Sequence, residues 1–496
     1  MLEFWWNRMA LPKGWYRKHR VHHLVILLSA WAVRAFHLDA QPLWLDEAFS
    51  VWMAAHPAQE ILFWTRTLDQ HPPLYYLLLH LWTRVWGDGE WSVRFLSLAG
   101  GWLAVALSMA IARHLGGRRL MGFSGILVAF SPFFVRYAQE ARMYAWVLSA
   151  VALGLWGAVR LWYRPDDRFG GIALVLGSAL AAWLHNVALL FPLGIFPLLI
   201  WRAHRVRTQS PAWILKMFGL FLLLWGGWIP ALVGQIWRMA RRFWVPPLSV
   251  YRMITLLASF SCPFSPTGLI VRLCAPLWML GTLWGGWQLI RQPRPRDRGA
   301  LLLLVTAWVP LVIVLLISLV RPILVPRVLI WLLLPALIML AYGIASLSQR
   351  WRYVLLSAIV VINGLSLQGY FVRFHKEPWD QVAAYVAHHV QPGDLLLFEA
   401  GWVRLPFDYY FRADVSPLEE HGLPADPFVT GTLEPPFHAS DIPRLLHLIT
   451  GRERVWVVLS HVPYTDPHRL AERTLRAHLQ CREERFQDIR VLECWP

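Results

Sequence analysis

Long, nearly uninterrupted runs of apolar residues restrict how this 496-residue chain can fold. A helix of roughly 20 apolar residues crosses the hydrocarbon core of a bilayer. Only 16% of the residues are charged, against about 25% in soluble domains. The sequence therefore predicts an α-helical polytopic membrane protein. About eleven spans are expected, near residues 21–38, 92–112, 119–135, 144–159, 170–184, 187–201, 212–231, 267–290, 300–320, 326–347 and 353–370.

Basic residues in alternate loops predict the orientation of these spans. Cytoplasmic loops of membrane proteins are enriched in lysine and arginine. If the N-terminus is cytoplasmic, the cytoplasmic loops contain Arg113, Arg118 and Arg119, then Arg160, Arg164 and Arg168, then Arg202, Arg205, Arg207 and Lys216, then Arg291, Arg294, Arg296 and Arg298, and finally Arg350 and Arg352. An odd number of spans then places the C-terminus outside, in a protein of the plasma (inner) membrane.

The net charge of +17 does not indicate a nucleic-acid partner. Residues 1–370 contain 34 Lys and Arg against 12 Asp and Glu, so the excess belongs to the membrane loops. Residues 371–496 contain 13 against 18 and are acidic. This segment has two short apolar strand candidates, at 394–400 and 454–461. We expect two domains, a transmembrane domain at 1–370 and a small extracytoplasmic α/β domain at 371–496.

The last residues of the chain resemble a hairpin. Cys481 and Cys494 are symmetric about Gln487 and Asp488. A two-residue turn there would place the cysteines opposite each other in an oxidising compartment, which permits a disulfide bond. The pair Gln-Asp is, however, a poor turn sequence for a hairpin.

Acidic and histidine residues stand out in the first outside loop, at about 39–91. Asp46 and Glu47 follow the first span. Adjacent carboxylates near a bilayer suit a general base or a cation site, but they also suit the first turn of a helix. His71 precedes two prolines, and the apolar run 72–86 is too short to span, so we expect a helix in the membrane interface.

Arginines on the outer side form the second group of candidates. Arg136, Glu140 and Arg142 crowd a short outside loop, and His185 lies in another. Arg321 and Arg327 flank a later one, where positive charge is disfavoured by topology. The planar fork of arginine fits a lipid phosphate, although such clusters also pair internally or snorkel.

Three motifs in this order resemble the GT-C glycosyltransferases. They are LDE at 45–47, HPPLYY at 71–76 and QEARMY at 139–144. The resemblance is closest to the bacterial family related to the dolichyl-phosphate-mannose protein mannosyltransferases, the RgtA/B/C/D-like enzymes. It extends to VPRVL at 325–329 and WDQVAAYV at 379–386, and becomes poor beyond about residue 400.

The resemblance implies transfer of one sugar from a polyprenyl-phosphate donor to a lipid, glycan or protein acceptor outside the cytoplasm. Asp46 then matches the catalytic aspartate, with Glu47 beside it. Nine substrate-binding positions are either implied by the resemblance or suggested by the outside loops. They are His71, Tyr75, Arg136, Glu140, Arg142, Tyr144, His185, Arg321 and Arg327. A divalent metal, Mg²⁺ or Mn²⁺, would involve Asp46 and Glu140 if the enzyme uses one.

Three other functions compete with this interpretation. A transporter or glycolipid flippase would carry polar residues inside its spans, and the spans here have few. Another polysaccharide polymerase or ligase would place its key residues in a large late loop rather than the first. A scaffold built around the tail domain would not need the acid pair.

Overall fold

The computed structural model describes residues 13–206, 210–241, 245–265, 267–291, 299–413, 415, 417–426 and 435–496. Four of the arginines used to predict topology lie outside the described residues: Arg207, Arg294, Arg296 and Arg298.

Helices account for most of the described chain, in agreement with the predicted fold class. The helices that precede the C-terminal sheet are α1 (Lys13–Ala35), α2 (Leu45–Ala55), α3 (Ala58–Thr67), α4 (Leu74–Trp86), α5 (Glu90–Ala129), α6 (Pro132–Ala138), α7 (Tyr144–Tyr163), α8 (Arg168–Leu184), α9 (Leu190–Val206), α10 (Pro211–Trp225), α11 (Ile229–Arg241), α12 (Val250–Ser261), α13 (Gly268–Ile290), α14 (Ala300–Val320), α15 (Leu333–Ala345), α16 (Gln349–Arg373) and α17 (Trp379–His389). Short 3-10 helices cover Asn186–Leu189, Gly226–Trp228 and Pro326–Leu332.

Eight helical segments of the described chain are long and apolar enough to cross a membrane. The polytopic fold is therefore confirmed. The longest segment, α5, has non-helical backbone at Gly116 and Gly117, where Gly117 has φ 74°. Because glycine adopts positive φ without steric cost, this pair separates the predicted spans at 92–112 and 119–135. Shorter apolar helices lie at Val21–Ala35, Arg168–Leu184 and Val250–Ser261.

The described residues form two units. The helical unit contains those of Met1–Phe36, Phe95–Trp228 and Val245–Phe374. The mixed unit contains those of His37–Arg94, Ile229–Trp244 and His375–Pro496. The mixed unit thus combines the first outside loop with the acidic tail, which the sequence did not predict.

Glycines allow two helices of the helical unit to approach closely. A Cβ atom added to Gly177 of α8 would lie 2.2 Å from the backbone nitrogen of Gly154 in α7. One added to Gly157 would lie 2.4 Å from the nitrogen of Leu174. Small residues commonly permit such backbone contact between membrane helices.

The mixed unit contains a five-stranded sheet in the order β2-β1-β3-β5-β4. Its strands are β1 (Leu395–Glu399), β2 (Glu419–Leu423), β3 (Val455–Leu459), β4 (Gln480–Phe486) and β5 (Ile489–Trp495). Strand β1 pairs in parallel with β2 and β3, and β5 pairs antiparallel with β3 and β4. Helices α18 (Arg404–Tyr410), α19 (Ile442–Ile449), α20 (Val462–Thr465) and α21 (Leu470–His478) connect the strands. The predicted small α/β domain is confirmed.

Both faces of this sheet are covered, as parallel strands require. One core contains Trp379, Phe398 and Trp456, and the opposite core contains Leu397 and Leu475. Every residue of β1 and β3 is buried, which explains why both strands are apolar except for Glu399 at the end of β1.

The C-terminal hairpin has the predicted form. Phe486 pairs with Ile489 across a two-residue turn, and Gln487 there adopts φ 53°. Cys481 faces Cys494 with their Cα atoms 4.1 Å apart, and their sulfur atoms form a disulfide bond.

Candidate active site

Asp46 and Glu47 lie in the first turn of α2, in the mixed unit. Asp46 is half-buried, whereas Glu47 is 0% exposed. The N-cap residue Trp44 makes no side-chain capping bond, so neither acid is a helix cap. The two carboxylates predicted from one dipeptide therefore have different surroundings.

Glu47 is held by two cations from distant parts of the chain. Arg94 donates to its two carboxylate oxygens at 2.8 and 2.9 Å, and Lys376 Nζ donates at 2.7 Å. Arg94 also donates to three backbone carbonyl oxygens just before α2, those of Leu38, Gln41 and Pro42. All of these cationic donors are buried, so the group fixes the polypeptide that leads to Asp46.

The charges around Glu47 keep it ionised. Burial alone would raise the pKa of Glu47, but Arg94 and Lys376 lower it to about 2. A carboxylate bound this firmly to two cations is a weak proton acceptor. The geometry therefore favours Asp46 over Glu47 as a base, and a catalytic role for either acid stays a prediction.

His71 and Tyr75 also belong to the mixed unit. His71 Nδ1 lies 3.0 Å from Asp69 Oδ1, and Tyr76 OH donates to Asp69 Oδ2 at 2.7 Å. His71 is 8% exposed, and Tyr75 in the first turn of α4 is completely buried. Substrate contacts of both residues stay predictions.

Arg136 and Glu140 form an ion pair in the helical unit. Arg136 Nε donates to Glu140 Oε1 at 3.0 Å, and its guanidinium lies over the Phe374 ring at 4.7 Å. Burial lowers the pKa of Arg136, but the charge of Glu140, its hydrogen bond and the neighbouring Tyr137 and Tyr370 together outweigh burial, so the net shift is upward. Glu140 is 1% exposed, and its Oε2 atom has no hydrogen-bond partner among the described residues.

Two tyrosines connect the remaining candidates of the helical unit. The Tyr137 and Tyr144 rings are 5.4 Å apart, and the His185 ring lies 6.2 Å from Tyr144. Arg142 lies 6.0 Å from the centre of the Tyr144 ring. Burial raises the pKa of Tyr137, and the positive charges of Arg136 and Arg327 oppose this increase.

We call this group the tyrosine cluster. Its residues are Arg136, Tyr137, Glu140, Arg142, Tyr144, His185 and Arg327. The structure thus brings together six of the seven candidates predicted in the helical unit. The seventh, Arg321, is exposed at the C-terminal end of α14.

The described residues contain no group of three or more His, Cys, Asp or Glu side chains arranged to hold a metal ion. Oxygen-rich groups of this kind are what Mg²⁺ and Mn²⁺ bind. The expectation of a metal at Asp46 and Glu140 stays a prediction, and no step below passes through a metal.

Four residues near the candidates were not identified from the sequence: Arg94, Lys376, Asp69 and Tyr137. Asp69 lies two residues before His71 and Tyr137 directly follows Arg136, so the motifs could have included them. Arg94 and Lys376 are separated from Glu47 in sequence by 47 and 329 positions, and only the fold reveals them.

The fold is that of the GT-C glycosyltransferases, which confirms the resemblance stated from the motifs. ArnT from Cupriavidus metallidurans in the apo state matches with a TM-score of 0.64 and 16% identity over 97% of this chain and 98% of that chain. The same protein bound to undecaprenyl phosphate matches with a TM-score of 0.61, 16% identity and the same two coverages. The apo oligosaccharyltransferase of Archaeoglobus fulgidus matches with a TM-score of 0.54 and 11% identity over 91% and 71% of the two chains.

Sequence comparison points to the same class. The profile of the dolichyl-phosphate-mannose-protein mannosyltransferase family matches residues 70–228, which include HPPLYY and QEARMY. No curated protein sequence matches the chain.

The Archaeoglobus enzyme has also been solved with Zn and sulfate, in a structure that matches with a TM-score of 0.51 and 10% identity over 88% and 67% of the two chains.

Proposed function

We propose that this protein transfers a sugar from a polyprenyl-phosphate donor to an acceptor on the extracytoplasmic face of the inner membrane. The observation that carries the proposal is the fold shared over nearly the whole chain with ArnT, which has been solved with undecaprenyl phosphate. Fold alone does not define function, so the residues must supply the chemistry.

Asp46 is the proposed general base. Its carboxylate would take the proton of the acceptor hydroxyl while that oxygen attacks the anomeric carbon of the donor sugar. The bond from the anomeric carbon to the phosphate oxygen breaks, and polyprenyl phosphate leaves with the electron pair. The buried bonds of Glu47 to Arg94 and Lys376 would hold Asp46 in place for this step.

The tyrosine cluster supplies the proposed contacts to the donor. Arg142 and Arg327 offer guanidinium groups to the leaving phosphate, whose developing charge they would stabilise. Arg136 is paired with Glu140 in the same cluster. Glu140 Oε2 and His185 offer hydrogen-bonding atoms to sugar hydroxyls.

A panel of radiolabelled undecaprenyl-phosphate sugars, both hexoses and pentoses, tests the proposal with purified protein in detergent. The expected result is release of labelled sugar, or its transfer to an added lipid, glycan or peptide, for at least one donor. The alternative is a glycolipid transporter or flippase. Movement of an intact labelled donor across a vesicle membrane, with no cleavage of any donor, would favour that alternative.

A further inference from the structure

Asp69 and His71, which lie between α3 and α4, form a small hydrogen-bonded group with Tyr76 of α4. Both oxygens of Asp69 are engaged, Oδ1 with His71 Nδ1 at 3.0 Å and Oδ2 with the Tyr76 hydroxyl at 2.7 Å. Asp69 is only 3% exposed. Burying a polar atom without a hydrogen bond costs free energy. The hydrogen bond to Asp69 therefore holds the imidazole ring of His71 in this orientation.

The donors around Asp69 favour one tautomer of a neutral His71. Asp69 Oδ1 also accepts from the Gln70 backbone N–H at 2.7 Å. An ionised carboxylate only accepts hydrogen bonds, so the contact with His71 requires a proton on Nδ1. In the neutral imidazole, Nε2 then carries a lone pair and acts as an acceptor.

This protonation state selects the chemical group that Nε2 can bind. A lone pair repels a phosphate oxygen. The acceptor hydroxyl gives its only proton to Asp46 in the proposed reaction, so it has none left for His71. The hydroxyl groups of the transferred sugar keep their protons throughout and are suitable donors.

We propose that Asp69 is a positioning residue that holds His71 as the Nδ1–H tautomer, so that Nε2 accepts a hydrogen bond from a hydroxyl of the transferred sugar. The inference rests on the proposed glycosyltransferase function. Asp69 acts only through His71 and does not touch the substrate. Of Asp69, His71 and Tyr76, only His71 is a site candidate in the sequence.

Kinetics of Asp69→Ala, Asp69→Asn, His71→Gln and the double variant Asp69→Ala/His71→Gln test this arrangement. The measured quantity is kcat for hydrolysis of the best undecaprenyl-phosphate sugar. Asp69→Ala and His71→Gln should each lower kcat about tenfold, as for one lost hydrogen bond. The double variant should be no slower than His71→Gln, because in this proposal Asp69 affects the substrate through His71.

Asp69→Asn is the conservative variant that should restore activity. The Gln70 N–H favours the amide oxygen at the Oδ1 position, so His71 Nδ1–H keeps its acceptor, and the Tyr76 hydroxyl can accept from the new NH₂ group. We expect kcat close to that of the unmodified protein. An Asp69→Asn loss as large as that of Asp69→Ala would overturn the neutral-tautomer assignment.

Arg238 provides a matched control for loss of loop structure. Its Nη2 atom donates to the backbone oxygens of Arg66 at 2.8 Å and of Asp69 at 3.5 Å, so it holds the backbone of this segment. The factor by which Arg238→Ala lowers kcat should therefore multiply with the factor for His71→Gln when the two variants are combined. If the factors by which Asp69→Ala and His71→Gln lower kcat also multiply in the double variant, Asp69 has only a structural role and the proposal is wrong.

Nitrogen-15 NMR of histidine-labelled protein in detergent separates this inference from the proposed function. The resonances lost in His71→Gln identify His71, and they should report a proton on Nδ1 at neutral pH. Asp69→Ala should shift them, whereas Asp69→Asn should not. A proton on Nε2, with or without one on Nδ1, would overturn the inference. If the protein cleaves no donor but His71 shows the expected tautomer, the proposed function is wrong, and so is the contact between His71 and the sugar. The positioning of His71 by Asp69 would still hold.

Discussion

The carboxyl groups of Asp46 and Glu47 are one peptide bond apart but have opposite surroundings. Glu47 is completely buried between Arg94 and Lys376, and Asp46 is half-exposed in the same helical turn. A buried ion pair contributes mainly through the cost of breaking it, because the abandoned charge cannot reach water. One acid is therefore suited to proton transfer and the other to holding the backbone.

Substitution of each acid by its amide should separate these roles. Asp46→Asn should lower turnover by about 10²–10⁴-fold, the usual cost of losing a general base, with little change in the melting temperature. Glu47→Gln should give a smaller direct loss of turnover but destabilise the protein by about 3–5 kcal/mol, because Arg94 and Lys376 lose their counter-charge. Donor hydrolysis and thermal unfolding in detergent measure the two effects.

The opposite pattern would contradict this division. If Asp46 only interacted with the helix dipole, Asp46→Asn should cost about 0.3–1 kcal/mol and leave turnover intact. Near-normal turnover of Asp46→Asn would remove the catalytic assignment and favour a transporter. Normal stability of Glu47→Gln would show that the buried cations do not depend on its charge.

Glu399 at the end of β1 predicts a pH dependence of the sheet. It is 0% exposed, and neither carboxylate oxygen has a hydrogen-bond partner among the described residues. Burial, with Asp466 and Glu472 nearby, raises the pKa of Glu399 to about 8. A raised acid pKa favours folding at low pH, and this contribution is lost as the pH rises through the folded-state value.

Deprotonation of Glu399 should therefore lower the melting temperature of the protein as the pH rises from about 5 to about 9. Glu399→Gln cannot ionise, so its melting temperature should fall less over the same range. Thermal unfolding followed by circular dichroism at several pH values measures the difference. Parallel curves for the two proteins would show that Glu399 is not the titrating group.

At the scale of helices and strands, the close approach of α7 and α8 depends on the absence of side chains. The backbone atoms of Gly154 and Gly177 occupy the space that a methyl group would need. Membrane helices gain little from the hydrophobic effect inside the bilayer, so backbone packing of this kind contributes much of their association.

Gly177→Ala should consequently destabilise the helical unit. The new Cβ atom would lie 2.2 Å from Gly154 N, and overpacking of this type costs about 1–3 kcal/mol. Gly219→Ala is the matched control, because Gly219 of α10 has nothing within 4 Å of the added atom and alanine is the better helix former. Equal melting temperatures for the two variants would show that α7 and α8 can separate without cost.

Most of these elements were predictable because their causes are local. Long apolar runs predicted the spans, short apolar runs predicted the strands β1 and β3, and the symmetric cysteines indicated where a disulfide bond could close the hairpin. The partners of Glu47 and the close contact at Gly177 depend on residues far apart in the chain. Hydrophobic periodicity carries no information about such pairs, so the sequence alone did not reveal them.

At the scale of the whole molecule, the distribution of charge predicts which side of the membrane each loop faces. The basic loops and the acidic tail predict one orientation. This prediction depends on the apolar run at 72–86 not crossing the bilayer. In the structure that run forms α4, of 13 residues, which is roughly 20 Å long at 1.5 Å per residue. The hydrocarbon core is about 30 Å thick, so α4 is too short to span it.

Reporter fusions test this topology directly. Alkaline phosphatase fused after Pro496 should be active because it is outside the cytoplasm, and one fused near residue 296, outside the described residues, should be inactive. A reporter that fluoresces only in the cytoplasm should give the reverse pattern at both positions. The disulfide between Cys481 and Cys494 is consistent with an oxidising compartment for the tail. A cytoplasmic C-terminus would imply an extra span at 72–86, which would invert every later loop and move Arg142 and Arg327 to the cytoplasmic side, away from an extracytoplasmic donor.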